Sequence, residues 1–257
     1  MKKILISLLI LCALSNLLFA QDTITVYYNN DWVEIANKNE AVFYRKAFED
    51  NNNVWKVQDY YISNKIQMTG AYKSKKLTTK KGHFIYYAEN GNKTSEGNFI
   101  DDKLEGLWNY WFDSGQKKSA GEYRANMAEG VWEYWLESGE KKSEGKYLNG
   151  EKVGVWNYWY INGQLNSTET YKKGGSFAYE SYHENGVTGV KGNAVNGNPQ
   201  GMWMYWNSDG RIILKGNFNR GLRDGEWIRS FRDGEMKILY KNGVTEGKQP
   251  GGIVRNE

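Results

Sequence analysis

The chain has 257 residues, of which 29 are glycine and only 2 are proline, and 15% are aromatic. Such a composition favours strands and tight turns. Removal of Lys2 and Lys3 would lower the formal net charge from +4 to +2, so the charge gives no general reason to expect binding to nucleic acid or to acidic membranes.

Residues 1–20, MKKILISLLILCALSNLLFA, combine a head of two lysines with an apolar run that ends at Ala20. This pattern is typical of a secretory signal peptide. It predicts export, to the periplasm or out of the cell, with cleavage near Ala20. A membrane anchor is the alternative, but the run is short and lacks a second basic flank, so no stable span is expected after cleavage. Cleavage removes Cys12, the only cysteine, and leaves no thiol for a disulfide, a nucleophile or a metal site.

The stretch that follows the predicted signal peptide is expected to be a β extension, and it includes the strings VYYNNDW and AVFYRKAF. A diverged repeat comes next, in which Tyr60, Gly70 and Tyr72 fit the pattern described below but Val57 replaces a tryptophan. The predicted organisation is a signal peptide at 1–20, an N-terminal β extension at 21–56, a diverged repeat at 57–81, a repeat array at 82–243 and a C-terminal tail at 244–257.

The array has a period of 24 residues. Each copy is predicted to be strand, tight turn, strand, because Asn-Gly and Asp-Gly pairs tolerate the positive φ angles of a two-residue turn. The copies begin at Gly82, Gly106, Gly130, Gly154, Gly201 and Gly225, with Phe177 in the remaining place because one residue is lost in the preceding connection. The third position is aromatic throughout: Phe84, Trp108, Trp132, Trp156, Tyr179, Trp203 and Trp227. The predicted turn glycines are Gly91, Gly115, Gly139, Gly163, Gly186, Gly210 and Gly234.

A two-residue turn at Ser114-Gly115 sets the register of the copy that begins at Gly106. The predicted pairs are Asp113 with Gln116, Tyr110 with Ser119, Trp108 with Gly121, and Gly106 with Tyr123. Each large ring then meets a small residue, and Trp108 is expected to lie across Gly121. Replacement of Gly121 by Val is accordingly expected to collide with Trp108. This face, the first face, is interpreted as an aromatic layer that packs hairpin on hairpin.

The opposite face, the second face, carries one aromatic residue per copy at a spacing of roughly 10 Å. Two interpretations are open. The rings cover a mostly polar face with cation–π support from Lys118 and Lys142, or they form a binding stripe for an extended peptide or a glycan. The candidate partner-binding residues are Tyr87, Trp111, Trp135, Trp159, Tyr182 and Trp206.

The unit G-x-W-x-Y-W-x-x-x-G-x-x-x-S-x-G-x-Y at residues 106–123 and 130–147 resembles the MORN-repeat variant family, whose bacterial arrays are labelled YwqK-type antitoxin components. The resemblance covers residues 82–223, with a degenerate seventh copy from Gly225. It implies an all-β, elongated antiparallel β-hairpin repeat array, a single-sheet meander that mediates association and has no enzymatic chemistry of its own. The pattern departs at Glu169 in place of glycine, Ala194 in place of an aromatic, and Arg229-Ser230 in place of Tyr-Trp, and these copies are expected to be weaker or to cap the array.

No catalytic, cofactor-binding or metal-binding residue is expected. The histidines His83 and His183 occupy different positions in their copies and have no recurring partner. Asp101 and Asp102 belong to an inter-hairpin loop, and no His and carboxylate pair repeats at ligand spacing. The glycines follow the turn period, which gives them a structural cause instead of a phosphate-binding one.

The predicted function is that of an exported, non-enzymatic scaffold that binds a protein partner in the cell envelope or outside the cell. One alternative is a carbohydrate- or cell-wall-binding module that uses the aromatic column at Trp111, Trp135 and Trp159. A second alternative is an antitoxin-like component, as the family label suggests. An antitoxin must meet its toxin in the cytoplasm, however, and the export signal conflicts with that location.

Overall fold

The protein is described by a computed structural model that covers residues 23–172 and 174–246. The predicted signal peptide, Cys12 and most of the predicted C-terminal tail lie outside these residues. The chain divides into two compact units, residues 1–91 and residues 92–257, which are described separately. Within the described residues there is no α-helix, and the one helical segment is a 3₁₀ turn at Lys38–Glu40.

The first unit contains an antiparallel sheet. β1 pairs with both β2 and β3, and each later strand pairs with the next one along the chain. Its strands are β1 (Ile24–Tyr28), β2 (Glu34–Ile35), β3 (Phe43–Glu49), β4 (Trp55–Tyr61), β5 (Ile66–Tyr72) and β6 (Lys81–Tyr87).

The second unit is an antiparallel meander in which every strand pairs with its successor. The predicted fold class, an all-β array of antiparallel hairpins, is confirmed. Its strands are β7 (Lys93–Ile100), β8 (Lys103–Trp111), β9 (Lys117–Arg124), β10 (Met127–Trp135), β11 (Lys141–Leu148), β12 (Glu151–Trp159), β13 (Leu165–Tyr171), β14 (Ser176–Tyr182), β15 (Thr188–Val195), β16 (Asn198–Trp206), β17 (Ile212–Asn219), β18 (Leu222–Ser230), β19 (Glu235–Lys241) and β20 (Val244–Thr245).

The turn inside the hairpins differs from the predicted two-residue turn, except between β18 and β19, where the N–H of Phe231 donates to the carbonyl of Gly234 at 2.7 Å across Arg232 and Asp233. The N–H of Gly115 donates to the carbonyl of Phe112 at 2.8 Å, and the N–H of Phe112 donates to the carbonyl of Gln116 at 2.9 Å. Gln116 therefore faces Phe112 and not Asp113. This is a three-residue loop with Gly115 in the left-handed region (φ +89), the geometry of a type I turn followed by a bulge.

The predicted pairing of rings with small residues is nevertheless correct. Trp108 pairs with Gly121 and Tyr110 pairs with Ser119, while Trp111 pairs with Lys117. Lys118 is thus an extra residue that forms a bulge. This bulge compensates for the one residue by which the three-residue loop exceeds a two-residue turn. The register on the far side of this bulge is the same as a two-residue turn would have given.

True two-residue turns occur between the hairpins, where the sequence pattern did not place them. Asn149 and Gly150 both have positive φ, +51 and +83, between β11 and β12. This combination defines the type I′ turn, whose twist matches that of the flanking strands. The same pair of positive angles recurs at Asp101-Asp102, Ala125-Asn126, Asn196-Gly197, Arg220-Gly221 and Asn242-Gly243.

Each tryptophan of the first face lies over a glycine of the preceding hairpin, not over its own pairing partner. A methyl group built on Gly121 would overlap the ring of Trp132, so the nearest ring is that of Trp132 and not, as expected, that of Trp108. The reason is a bulge between hairpins. Glu129 pairs with Glu122 but Glu133 pairs with Ala120, which leaves two extra residues that lift the Trp132 ring across the neighbouring strand. The indole Nε1 of Trp132 then donates to the carbonyl of Glu122 at 3.1 Å.

These rings form the aromatic layer that the sequence predicts. Trp132 is 4% exposed. Its ring meets Tyr123 edge-on at a centroid distance of 5.0 Å and Tyr147 at 6.1 Å, so it contacts tyrosines of two successive hairpins. The same contacts recur around Trp156, where the centroid of Tyr147 lies 4.9 Å away. The layer is therefore continuous from hairpin to hairpin, and the tryptophans are core residues.

The irregular copies replace the standard contacts with specific substitutes. Glu169 stands where a glycine is expected, and its carboxylate accepts hydrogen bonds from the hydroxyls of Tyr158 and Tyr171 at 2.6 and 2.9 Å. Phe177 pairs with Ala194, so a large ring again meets a small residue. The ring of Phe177 lies 5.2 Å from that of Tyr171 and extends the aromatic layer across a copy that lacks the usual start glycine.

In the first unit, a buried ion pair takes the place of the tyrosine layer. Arg45 donates from two nitrogens to both carboxylate oxygens of Asp59, at 2.7 and 2.8 Å. The guanidinium lies between the rings of Tyr28 and Tyr72, at 5.5 and 5.3 Å from their centroids. Both charges are thereby paired, which an ion pair removed from water requires.

Candidate functional site

The six candidate residues of the second face are all half-buried, and each is the last residue of its strand. Tyr87 ends β6 in the first unit. In the second unit, Trp111, Trp135, Trp159, Tyr182 and Trp206 end β8, β10, β12, β14 and β16. We call these five residues the second-face column. Alternation along each strand places them opposite to the buried tryptophans of the first face.

Three rings of the column are covered by lysine ammonium groups. The Nζ atoms of Lys93, Lys117 and Lys141 lie 5.9, 4.8 and 5.4 Å from the ring centroids of Trp111, Trp135 and Trp159, respectively. Each lysine comes from the second strand of the hairpin before its ring. The ammonium groups satisfy the electrostatic preference of an indole face for a cation.

The lysines named from the sequence are wrong. Lys118 lies over Phe112 at 5.5 Å, and Lys142 has no cation–π contact among the residues that the structure describes. The cause is the bulge at Lys118, which puts Lys117 opposite Trp111. A two-residue turn without a bulge would have given Lys118 that place.

An exposed aliphatic row runs beside the column and was missed in the sequence. Each member lies four residues before a ring of the column on the same strand, and alternation puts both on the second face. The exposed fractions of Leu107, Val131, Val155 and Met202 are 55, 62, 52 and 48%. The signal is present in the pattern as the second position of four of the seven copies, but isolated exposed aliphatic residues are common on any surface.

Charged residues separate the apolar ones on this face. Lys141 bonds Glu133 at 2.9 Å and also contacts Glu144, and Lys93 bonds Glu96 at 2.7 Å. These pairs are partly exposed, so each contributes little to stability. They hold two of the capping lysines beside their rings and keep the face close to neutral.

The first face carries a set of tyrosine hydroxyls that pair with one another. The hydroxyls of Tyr134 and Tyr147 are 3.4 Å apart, and those of Tyr110 and Tyr123 are 3.5 Å apart. Burial, together with these contacts, raises the pKa of Tyr110 and Tyr134. In the first unit, burial raises the pKa of Tyr86 to about 12. The phenols are therefore neutral hydrogen-bonding groups at physiological pH, not bases.

The raised tyrosine pKa values predict unfolding at alkaline pH. An unfolded tyrosine ionises near its ordinary pKa of 10.0, whereas the folded state favours the neutral phenol. The stabilising contribution is therefore complete below pH 10 and is lost as the pH rises toward the folded pKa. We expect the part of the tyrosinate absorbance that belongs to these buried phenols to rise in one cooperative step that coincides with loss of the β circular dichroism signal.

A single substitution provides the control for this titration. Replacement of Tyr134 by Phe removes one phenol and should move the alkaline midpoint to higher pH. A gradual rise in absorbance centred near pH 10 with an unchanged β signal would contradict the assignment.

The remaining sequence candidates are placed as follows. His83 is exposed, and Nε2 of the half-buried His183 lies 2.9 Å from the carbonyl oxygen of Trp206. Over residues 23–172 and 174–246, no group of three His, Cys, Asp or Glu side chains is arranged to hold a metal ion. The same residues contain no helix with the length and apolar character needed to cross a membrane.

Comparison with known proteins gives no relative that assigns a function. No family model and no curated protein matches the chain. Solved structures with local similarity include the crystal structure of TcdB2-TccC3-Cdc42, at 13% identity, and that of TcdB2-TccC3-TEV, at 12% identity. They cover 90 and 91% of this chain with a TM-score of 0.21 in each case, and the chain spans only 14% of the length of either solved chain. A TM-score this low does not define a shared fold.

Proposed function

We propose that the chain is an exported, non-enzymatic scaffold of the MORN-repeat variant type that binds a protein partner through the second face of residues 92–172. The proposal is carried by the repetition, in three successive hairpins, of a lysine-capped tryptophan and an exposed aliphatic residue. The predicted signal peptide supports export, and the repeat pattern supports the family.

The chemistry of this surface suits a protein partner. Tryptophan is the residue most often found at binding hot spots, and exposed aliphatic side chains extend the apolar area around it. Trp111, Trp135 and Trp159 repeat at roughly 10 Å, two strand spacings apart. The tryptophan layer beneath them fixes their positions, so little conformational freedom is lost when a partner binds.

A glycan is the less suitable occupant of these three copies. A sugar ring stacks on the open face of an aromatic ring, and here Lys93, Lys117 and Lys141 lie over that face. A sugar would have to displace each ammonium group and lose a contact of about 0.5–1 kcal/mol. A protein can instead pair its carboxylates with the same lysines while its apolar side chains meet the aliphatic row.

The test is a comparison of partner capture by matched variants. Trp111, Trp135 and Trp159 are changed together to Ser, and the immobilised protein is incubated with envelope and extracellular fractions of the native host. We expect the wild-type protein to retain a specific partner and the triple variant to lose it, because hot-spot contacts dominate binding.

The control changes two exposed apolar residues outside residues 92–172, Phe231 and Val244, to Ser. This variant should capture as much partner as the wild type. If no protein is retained by the wild type, or if the column variant retains it equally well, the second face is not the binding surface.

A further inference from the structure

A depression of about 280 Å³ opens on the second face between β13, β14, β15 and β16. Its walls include Thr168 and Thr170 on one side and Lys191 and Asn193 on the other, with Ala178 between them. Met202 and Met204 close the far side. Only the two threonines belong to a lysine-capped copy, that of Trp159, and the other lining residues belong to the next two copies.

The depression exists because one copy departs from the repeat. Ala178 occupies the second position of its copy, where Leu107, Val131 and Val155 stand in the earlier ones. Its short side chain leaves a gap in the aliphatic row. The pairing of β13 with β14 also lacks the register shift that accompanies every later junction between hairpins up to β18.

The lining offers polar groups that the described part of the chain does not use. The hydroxyls of Thr168 and Thr170 and the side-chain amide of Asn193 make no hydrogen bond to any residue within 23–172 or 174–246. Glu180 and Lys191 form an ion pair at 3.3 Å, so the site carries no net charge. Hydrogen-bonding groups therefore stand on two walls with Ala178 between them, and the apolar side chains of Met202 and Met204 stand beyond the second wall.

The two rings next to the depression differ from the earlier ones. Tyr182 and Trp206 lie two residues beyond Glu180 and Met204 on the same face, about 7 Å along each strand. The positions that correspond to the capping lysines are held by Leu165 and Thr188. In the described chain, no lysine or arginine lies over either ring, so their faces are not occupied by a cation.

We propose that this depression binds one pyranose unit of a neutral glycan, with the adjoining sugar against Tyr182 or Trp206. A pyranose carries hydroxyls around its rim and apolar C–H groups on its faces, which matches a depression with polar groups on two walls and apolar side chains at its floor and far side. A peptide side chain enters end-on and needs polar groups at one point only. The neutral ion pair disfavours a charged ligand.

This site can be tested separately from the proposed protein-binding surface, because none of its lining residues is changed in the Trp111, Trp135 and Trp159 variant, although Thr168 and Thr170 lie in the copy of Trp159. Loss of partner capture in the Trp111, Trp135 and Trp159 variant therefore says nothing about it. Conversely, failure of sugar binding leaves the protein-binding proposal unaffected.

The test is a titration of the full chain, labelled with ¹³C at the methionine methyl groups and followed by NMR. Cellotetraose, mannotetraose and chitotetraose are the probes, each added alone. We expect at least one of them to shift the methyl resonances of Met202 and Met204, with a Kd on the order of 1 mM, which is about −4 kcal/mol for so open a site. Met127, which is exposed on β10, should not shift.

Substitution of Ala178 by Leu restores the residue that another copy carries and fills the depression. It should weaken sugar binding at least about tenfold, equivalent to about 1.4 kcal/mol, while the fold is retained because Leu107 occupies the same position. The matched control, Val131→Leu, adds the same side chain at the equivalent exposed place of another copy and should bind as the wild type does. The double change of Thr168 and Thr170 to Val should also weaken binding, because it removes the hydroxyls at nearly constant volume.

The proposal is overturned if none of the three probes shifts Met202 or Met204 at about ten times the expected Kd. It is also overturned if Ala178→Leu and Val131→Leu bind the sugar equally well, since the ligand would then occupy another place.

Discussion

Simultaneous replacement of Trp108, Trp132 and Trp156 by Ser is expected to unfold the second unit. The three rings are 2, 4 and 1% exposed, and each donates its indole N–H to a backbone carbonyl of the preceding hairpin. Loss of one buried tryptophan costs about 3–5 kcal/mol. Three such losses amount to about 9–15 kcal/mol, which equals the whole stability of a typical domain.

The matched variant changes three tryptophans of the second face, Trp111, Trp135 and Trp159, to Ser. It removes the same number of indoles from the same strands, but from half-exposed positions. We expect it to keep the β circular dichroism spectrum, with a midpoint of urea unfolding only modestly lowered. If both triple variants unfold alike, the second face is also core, and a partner would have to dock on the loops.

The sequence predicted the repeat and its two faces because these follow from side-chain periodicity alone. The period of 24 residues, the alternation along each strand and the aromatic residue at each third position assign Trp108 to the core and Trp111 to the opposite face. The predicted pairing beyond the bulge was also correct. A three-residue loop together with one bulged residue brings the same residues opposite each other as a two-residue turn does.

The contacts between hairpins could not be predicted in the same way. A pairing rule identifies Gly121 as the partner of Trp108, but it does not say toward which neighbouring strand the ring leans. The direction is set by the bulge at Gly130, where φ is +69, and a glycine in a strand pattern is compatible with a turn, a bulge or a close approach. The capping lysines were misassigned for a related reason, because the bulge at Lys118 changes the face of a single residue.

The depression beside Ala178 was missed because the departures from the repeat pattern were interpreted only as weaknesses. Glu169 and Ala194 were expected to mark copies that are weaker or that cap the array. In the structure Glu169 accepts two tyrosine hydroxyls, and Ala194 accommodates Phe177. A substitution that breaks a repeat is compensated by a neighbour, and the compensation is visible only in three dimensions.

Gly121 provides the sharpest test of the packing between hairpins. A methyl group at Gly121 would overlap the ring of Trp132, which is 4% exposed and held by its indole hydrogen bond to Glu122. We expect Gly121→Ala to lower the free energy of unfolding by about 3 kcal/mol, at the upper end of overpacking effects, because the ring has no free space to enter. Urea unfolding of the purified variant measures the loss.

The control is Gly189→Ala, which adds the same methyl group to a buried strand glycine that also has an ordinary backbone conformation. At that position the nearest atom, in the ring of His183, is 3.4 Å away, so the change should cost less than about 1 kcal/mol. Glu122→Gln, one residue from Gly121 on the exposed face, should change stability by less than about 0.5 kcal/mol.

A double variant, Gly121→Ala with Trp132→Leu, separates the two possible collision partners. If Trp132 is the ring that meets the new methyl group, the two losses are far from additive, because the smaller side chain makes room for it. Full additivity would place the collision on Trp108 instead and would contradict the packing of each ring on the hairpin before it.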